Sequence, residues 1–344
     1  MTRAGVSRRR ALSLLLSSAL AGPIALSGLS GTGCASAPKP PPAPPDQDLV
    51  TNHDLLACVS GTGLRWMLRA KLREIAAAPE LAAVLADIFP EARLRSFAET
   101  HGGVDLRQVK ELVVADHGDA TLYAVRGVFD PARIEATLQR RGEVEGRAVD
   151  LSHPSIIRTF GAVGDTRVQL ATFGREALAL EVGRFGPLRA FEAFAVGKLK
   201  RSKPAIAQEP LSALITHHLP PAELLALAPG PFEGEWKGAL GGLLGACTAA
   251  GISIALAGSM LRVRLVLLGA FGRNAPAAAE RLSAATNVIC QSALGRLLGL
   301  DTPTEAATVT ADADALTWGA TFQVEKLGTG IHTALDAQIS EIMR

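Results

Sequence analysis

The chain has 344 residues, enough for two ordinary domains or one larger one. It carries 35 Lys and Arg against 33 Asp and Glu; residues 1–33 hold four arginines and no acid, so the remainder has 31 basic and 33 acidic residues, a balance that argues against nucleic acid as the main partner. Aromatic residues make up only 4%, which leaves little material for platforms that stack bases or sugar rings.

The N-terminal stretch says where the chain goes. Ser7, Arg8, Arg9, Arg10, Ala11 and Leu12 form a twin-arginine pattern, and an apolar run from Leu12 to Leu29 follows it directly. Ser13, Ser17, Ser18, Gly22 and Pro23 interrupt that run, whereas an uncleaved membrane span wants about 20 mainly apolar residues. Two endings suit such a signal. Cleavage after Ala37 meets Pro38, which has a fixed φ and no N–H for an enzyme that binds its substrate extended. The alternative is at Cys34, which follows the small residues Thr32 and Gly33.

From Pro38 to Pro45 six prolines in eight residues give an extended, semi-rigid spacer. Leu64, Leu68, Leu72 and Ile75 then recur at helical spacing, with Arg65, Arg69 and Arg73 turned away, and Leu81, Leu85 and Ile88 continue the pattern between Pro79 and Pro90. The spacing predicts two or three short helices over 64–97.

At Val109 the period changes. A β-rich stretch (Leu112, Val113, Val114) turns at His117, Gly118 and Asp119, returns through Leu122 and Val125 to Gly127, Val128 and Phe129, and meets Asp130 and Pro131, a good cap and first residue for a helix. The arrangement recurs from Val168, turning at Gly174 and ending at Gly183, Phe185 and Pro187. It recurs again from Ile252, turning at Gly258 and Ser259 and ending at Gly269, Ala270 and Phe271. After Phe271, Asn274 can cap a helix predicted from Ala275 to Leu298, with Leu282, Ile289 and Leu297 on its buried face. A fourth unit runs from Ala307 into a strand with Leu316, Trp318, Ala320, Phe322 and Val324 on one side, closed by a helix bearing Ile331, Leu335, Ile339 and Ile342.

Four strand-pair-then-helix units predict an α+β fold: antiparallel sheets of hairpins covered by helices, in a duplicated strand-strand-helix arrangement. The expected organisation is a signal over 1–33, a lipidated Cys34 with its tether over 34–48, and α+β halves over 49–205 and 206–344. The join falls between Lys198 and Pro221.

The search for catalytic patterns returns no GxSxG, HExxH, GK[ST] loop or strand-linked GxGxxG. Gly61 and Gly63 read as a turn, and Gly241, Gly242 and Gly245 as close helix packing. His217 and His218 are adjacent, so on a helix they diverge by about 100° and on a strand they face opposite sides, a poor geometry for one metal ion. Asp116, His117 and Asp119 read as hairpin-turn residues. Cys58, Cys247 and Cys290 match no zinc spacing; they read as small buried hydrophobes, with a Cys247 to Cys290 disulfide as the alternative. No catalytic residue, metal ligand or cofactor is assigned from the sequence.

The signal, the cysteine and the tether together resemble uncharacterised predicted bacterial lipoproteins with a twin-arginine-type signal, of the kind numerous in Gram-negative bacteria with large genomes. Leu29 to Cys34 is similar to their lipobox, with Gly31 where the family carries Leu or a similar residue. The resemblance implies export through Arg8 and Arg9 and lipidation of Cys34. It also implies a place at the periplasmic face of a membrane, the outer one favoured because Ala35 follows the cysteine. The partners expected are then the membrane, through the lipid anchor, and an envelope protein or lipid. A non-catalytic binding or scaffolding role follows; the alternatives are an envelope hydrolase with a site assembled from distant residues, and a carrier of lipid or another hydrophobic ligand.

Overall fold

The computed structural model describes residues 50, 54–184, 186–199, 202–331 and 333. Arg8, Arg9, Cys34, the proline spacer, Phe185, Leu335, Ile339 and Ile342 lie outside them. The described residues belong to one compact unit, Asp48–Arg344.

The fold is α+β, built on a 12-stranded sheet whose neighbours all pair antiparallel. In chain order the strands are β1 (Trp66–Ala70), β2 (Glu111–Asp116), β3 (Ala120–Arg126), β4 (Glu143–Val149), β5 (Ile156–Val163), β6 (Thr166–Phe173), β7 (Ala177–Gly183), β8 (Leu224–Pro229), β9 (Cys247–Ala257), β10 (Met260–Gly269), β11 (Thr308–Ala311) and β12 (Ala315–Gln323). Across the sheet they lie in the order β11-β12-β10-β9-β8-β1-β2-β3-β7-β6-β5-β4.

That order contains its own repeat. Outward from the central β1–β8 pair, β1-β2-β3-β7-β6 on one side matches β8-β9-β10-β12-β11 on the other, and β4 and β5 extend the first half. The Gly-x-Phe strings fall at equivalent places. A Cβ on Gly127, just past β3, would lie 2.9 Å from the Phe129 ring, and one on Gly269, at the end of β10, would lie 3.2 Å from the Phe271 ring. In both, the aromatic side chain folds back over a residue that has no side chain of its own.

The helices are α1 (Leu72–Ala77), α2 (Pro79–Ile88), α3 (Glu91–Thr100), α4 (Pro131–Arg141), α5 (Pro187–Ala195), a short α6 (Leu211–Ala213) that widens into a π turn over Leu214–His218, α7 (Ala275–Gln291), α8 (Ala293–Leu297) and α9, which follows β12 and is described over 324–331. Asp130 caps α4 by accepting from the Ala132 and Arg133 N–H groups. One face of the sheet carries the largest core. Met67, Val113, Leu122, Ala124 and Ala179 of the first half and Leu227, Val266 and Leu268 of the second pack under Leu55, Leu56, Leu188, Phe191, Leu211 and Leu214. The opposite face is covered by α4 in the first half, with Phe129, Ile134 and Leu170, and by α7 in the second, with Leu265, Leu267, Leu282, Leu316 and Trp318.

Three sequence expectations need correction. The helical spacing from Leu64 hides a strand: Trp66–Ala70 is β1, paired with β2 on one side and β8 on the other. Two ladders outweigh a local periodicity that five residues can satisfy either way. The helix expected from Ala275 to Leu298 breaks at Ser292, whose Oγ accepts from Gly295 N–H and starts α8. The break changes which residues are buried. Leu282 is fully buried as expected, but Ile289 is 51% exposed and Leu297 38%, and the inner stripe of α7 is Ala275, Ala278, Leu282 and Thr286. Asn274 makes no side-chain cap there. Finally, Gly241 and Gly242 do not serve helix packing. Both have positive φ, at 68° and 86°, and a Cβ on either would meet nothing within 4 Å, so glycine is there for the left-handed turn.

Candidate functional site

Two groups of charged side chains stand out on the face that carries the main core. The first surrounds α5. Pro187 at its first turn and the amphipathic spacing of Leu188, Phe191 and Phe194 make it a helix, and Glu181 on β7 anchors its start. The Glu181 carboxylate is fully buried and accepts from Gly186 N–H at 2.9 Å and Leu188 N–H at 2.6 Å. Burial pushes its pKa up, and the two N–H donors pull against that shift.

Further along the helix, Glu192 meets Arg158 of β5 through a two-pronged pair, Nε–Oε1 at 2.9 Å and Nη2–Oε2 at 2.5 Å. Beyond its end, Lys198 donates to Asp150 at 2.6 Å, and this contact holds the Asp150 carboxyl below its usual range. Between these pairs lies an open cleft of about 230 Å³, floored by Ile156, Ala193 and Val196 and flanked by Arg189. Its acids and bases are already matched: Arg158 with Glu192, Lys198 with Asp150. Chemically the cleft holds α5 on the sheet, with Arg189, whose charge also acts on Glu181, at its edge.

The second group lies at the central seam. Glu111 and Arg126 face each other across β2 and β3, their side chains 4.0 Å apart, while Arg69 of β1 reaches Asp54 at 3.5 Å and the Ala222 carbonyl at 3.3 Å. Arg69 thereby ties the first half to the start of the second. Burial, with Asp54 adding to it, pushes the Glu111 carboxyl up to about 7 against the pull of Arg126. Cys58 sits in the same group, fully buried, with its thiol pushed up to about 12 by burial, so it is a poor nucleophile at neutral pH.

The residues singled out from sequence fall as follows. Arg8, Arg9 and Cys34 lie outside the described residues. Asp116, His117 and Asp119 are at the β2–β3 hairpin; Gly118 between them has φ of 83°, and His117 Nδ1 lies 3.0 Å from the Thr62 carbonyl. His217 and His218 stand edge to face at the end of the π turn, ring centres 6.4 Å apart. Among the described residues no three His, Cys, Asp or Glu side chains gather closely enough to hold a metal ion. Cys247 and Cys290 are free thiols; burial raises both, Cys247 to about 11. No described helix is long and apolar enough to cross a membrane.

Sequence reasoning missed Glu111, Glu181 and Glu192. Two of them had a readable signal: a glutamate in the middle of an apolar strand (Leu178, Leu180, Val182) and another between Phe191 and Phe194 stand where apolar residues are the rule.

No family model matches the chain, and no curated protein does. Among solved structures, crystal form I of TP0453 aligns with a TM-score of 0.46 at 11% identity, covering 82% of this chain and 98% of that one; crystal form III aligns at 0.47 and 12%, covering 82% and 99%.

Proposed function

We propose that the chain is a non-catalytic binding or scaffolding protein of the cell envelope, exported through Arg8 and Arg9 and held at a membrane by a lipid on Cys34. The observation that carries this is the order of features along the N-terminus: arginine pair, apolar run, cysteine, six prolines in eight residues, then a compact unit that begins at Asp48. Ala35 after the cysteine favours the outer membrane. The non-catalytic part is supported by the state of the charged groups in the body. Arg158, Glu192, Lys198 and Asp150 are matched to one another, and the Cys58 thiol is held protonated.

The test is fractionation of cells that make the wild type or Cys34→Ser. The variant is expected in the soluble periplasmic fraction, and the wild type with the membranes. Equal retention of both would end the lipid-anchor reading. Turnover of an envelope substrate that one Asp, Glu, His or Ser substitution abolishes without unfolding the protein would end the non-catalytic one.

A further inference from the structure

The cleft beside α5 carries more hydrogen-bond donors than its own carboxylates take up. Arg189, Glu192 and Ala193 lie one turn apart on α5 and Val196 follows just past its end, so this stretch supplies both a charged rim and part of an apolar floor, which Ile156 of β5 completes.

Both carboxylates of the cleft are fully engaged. Glu192 accepts from Arg158 at Oε1 and at Oε2; Asp150 accepts from Lys198 at Oδ2, while its Oδ1 accepts from the Ser152 and His153 N–H groups at 2.8 and 3.2 Å. The donors are not. An arginine carries five N–H groups and a lysine three, so these bonds leave three free on Arg158 and two on Lys198. Arg189 is exposed, and among the described residues no carboxylate accepts a hydrogen bond from it; its charge acts on Glu181 through space. Three cations therefore face two carboxylates across the cleft. What is left over is one positive charge and a set of N–H donors, set above aliphatic carbon.

We propose that this cleft binds a small aliphatic acid as its monoanion, the carboxylate taken by Arg189, Lys198 and the free N–H groups of Arg158, and the hydrocarbon part laid on Ile156, Ala193 and Val196. This deepens the binding reading above by naming the class of ligand, and it rests on that reading. Charge sets one limit: a single negative charge neutralises the surplus, whereas a second would face Glu192 and Asp150 with no cation left to offset it. Size sets the other, because about 230 Å³ is less than the roughly 300 to 1,000 Å³ that drug-sized ligands occupy. A planar carboxylate also matches the fork of donors on an arginine.

The probe is hexanoate, titrated by calorimetry onto the full-length protein in non-ionic detergent, in a buffer free of phosphate and of other carboxylates. Saturable binding is expected, weakened at least tenfold by Arg189→Gln and by Lys198→Gln, and unchanged by Arg281→Gln on the exposed side of α7. Arg189→Gln should keep the wild-type unfolding midpoint. Hexanamide, which has the shape without the charge, and acetate, which has the charge without the chain, should each bind at least tenfold more weakly than hexanoate. Equal affinity for acetate or for inorganic phosphate would replace the aliphatic acid by a generic anion and overturn the proposal. Hexanoate binding that survives Arg189→Gln combined with Lys198→Gln would put the ligand somewhere other than the cleft, and absence of saturable binding would remove the site. None of these failures bears on membrane retention through Cys34 or on the turnover test above, so the cleft can fall while the binding reading stands, and that reading falls by its own tests.

Discussion

The two halves of the sheet share a strand order and differ in what covers them. The first is covered on both faces except at its outer strand β4, by α4 with Phe129 and Ile134 on one side and by α5 with Leu188 and Phe191 on the other. The second is covered by α7 on one face; on the opposite face Leu227, Val266 and Leu268 are buried in the main core, while Arg262 and Arg264 are exposed. An antiparallel sheet tolerates this, because hairpin connections allow one face to pack and the other to meet water. The residues follow the cover. Under α5 the positions are Ala124, Ala171 and Ala179, all fully buried; on the same face of the second half Arg262, Arg264 and Thr308 are exposed. A duplicated fold thus keeps its strand order through pairing, while each copy's exposed faces are free to change.

The comparison can be broken most forcefully at α5. Phe191 is 1% exposed and meets Phe173 edge-on, ring centres 6.0 Å apart, so Phe191→Ala should cost about 3 to 5 kcal/mol in chemical unfolding. A loss below about 1 kcal/mol would show that α5 does not close the first half.

The seam between the halves should respond to pH. The Glu111 carboxyl is raised from 4.5 to about 7 in the folded protein, so the folded state holds the proton more tightly. Its contribution is therefore complete below about pH 4.5 and lost as pH climbs through 7, at most about 3 kcal/mol. Unfolding titrations from pH 4 to 8.5 should show the wild type losing stability relative to Glu111→Gln, which stays neutral. Parallel curves would mean that Arg126 holds the group ionised.

Glu181→Ala leaves the Gly186 and Leu188 N–H groups at the start of α5 without their acceptor, an expected loss of about 1 to 3 kcal/mol. Amide exchange should show the α5 amides opening faster than those of α7, which has no such anchor; equal acceleration in both would point to a global effect.

The smallest effect is expected at Ile289, on the outer side of α7. Ile289→Ala should stay within about 0.5 kcal/mol, while Leu282→Ala two turns earlier should cost about 2 to 5 kcal/mol. Comparable losses at the two positions would restore the single long helix that the spacing predicts.

Much of the fold was legible because it is local. The hairpins β2–β3, β6–β7, β9–β10 and β11–β12 follow from alternation around Gly118, Gly174, Gly258 and the turn at Asp312 to Asp314, and α4 from Asp130 and Pro131. The central strand β1 was not, since its five residues satisfy a helical and an extended period alike and only β2 and β8 choose between them. β4 and β5 escaped notice because β4 is exposed on both sides and so lacks alternation. The candidate sites were less legible still: Arg158 and Glu192 are 34 residues apart, and Arg69 and the Ala222 carbonyl 153.

The sequence by itself determined the class, the turns, the repeated Gly-x-Phe unit and the signal-cysteine-proline order, because each is written in neighbouring residues whose backbone preferences act locally. The tertiary structure decided that the two halves share one continuous sheet through β1 and β8. It decided that Glu111, Glu181 and Glu192 are buried partners rather than solvated charges, and that Arg262 and Arg264 are exposed while Val266 and Leu268 on the same face are buried. Those outcomes depend on which strands pair across more than a hundred residues and on which helix lands on which face, and a local pattern carries no information about either.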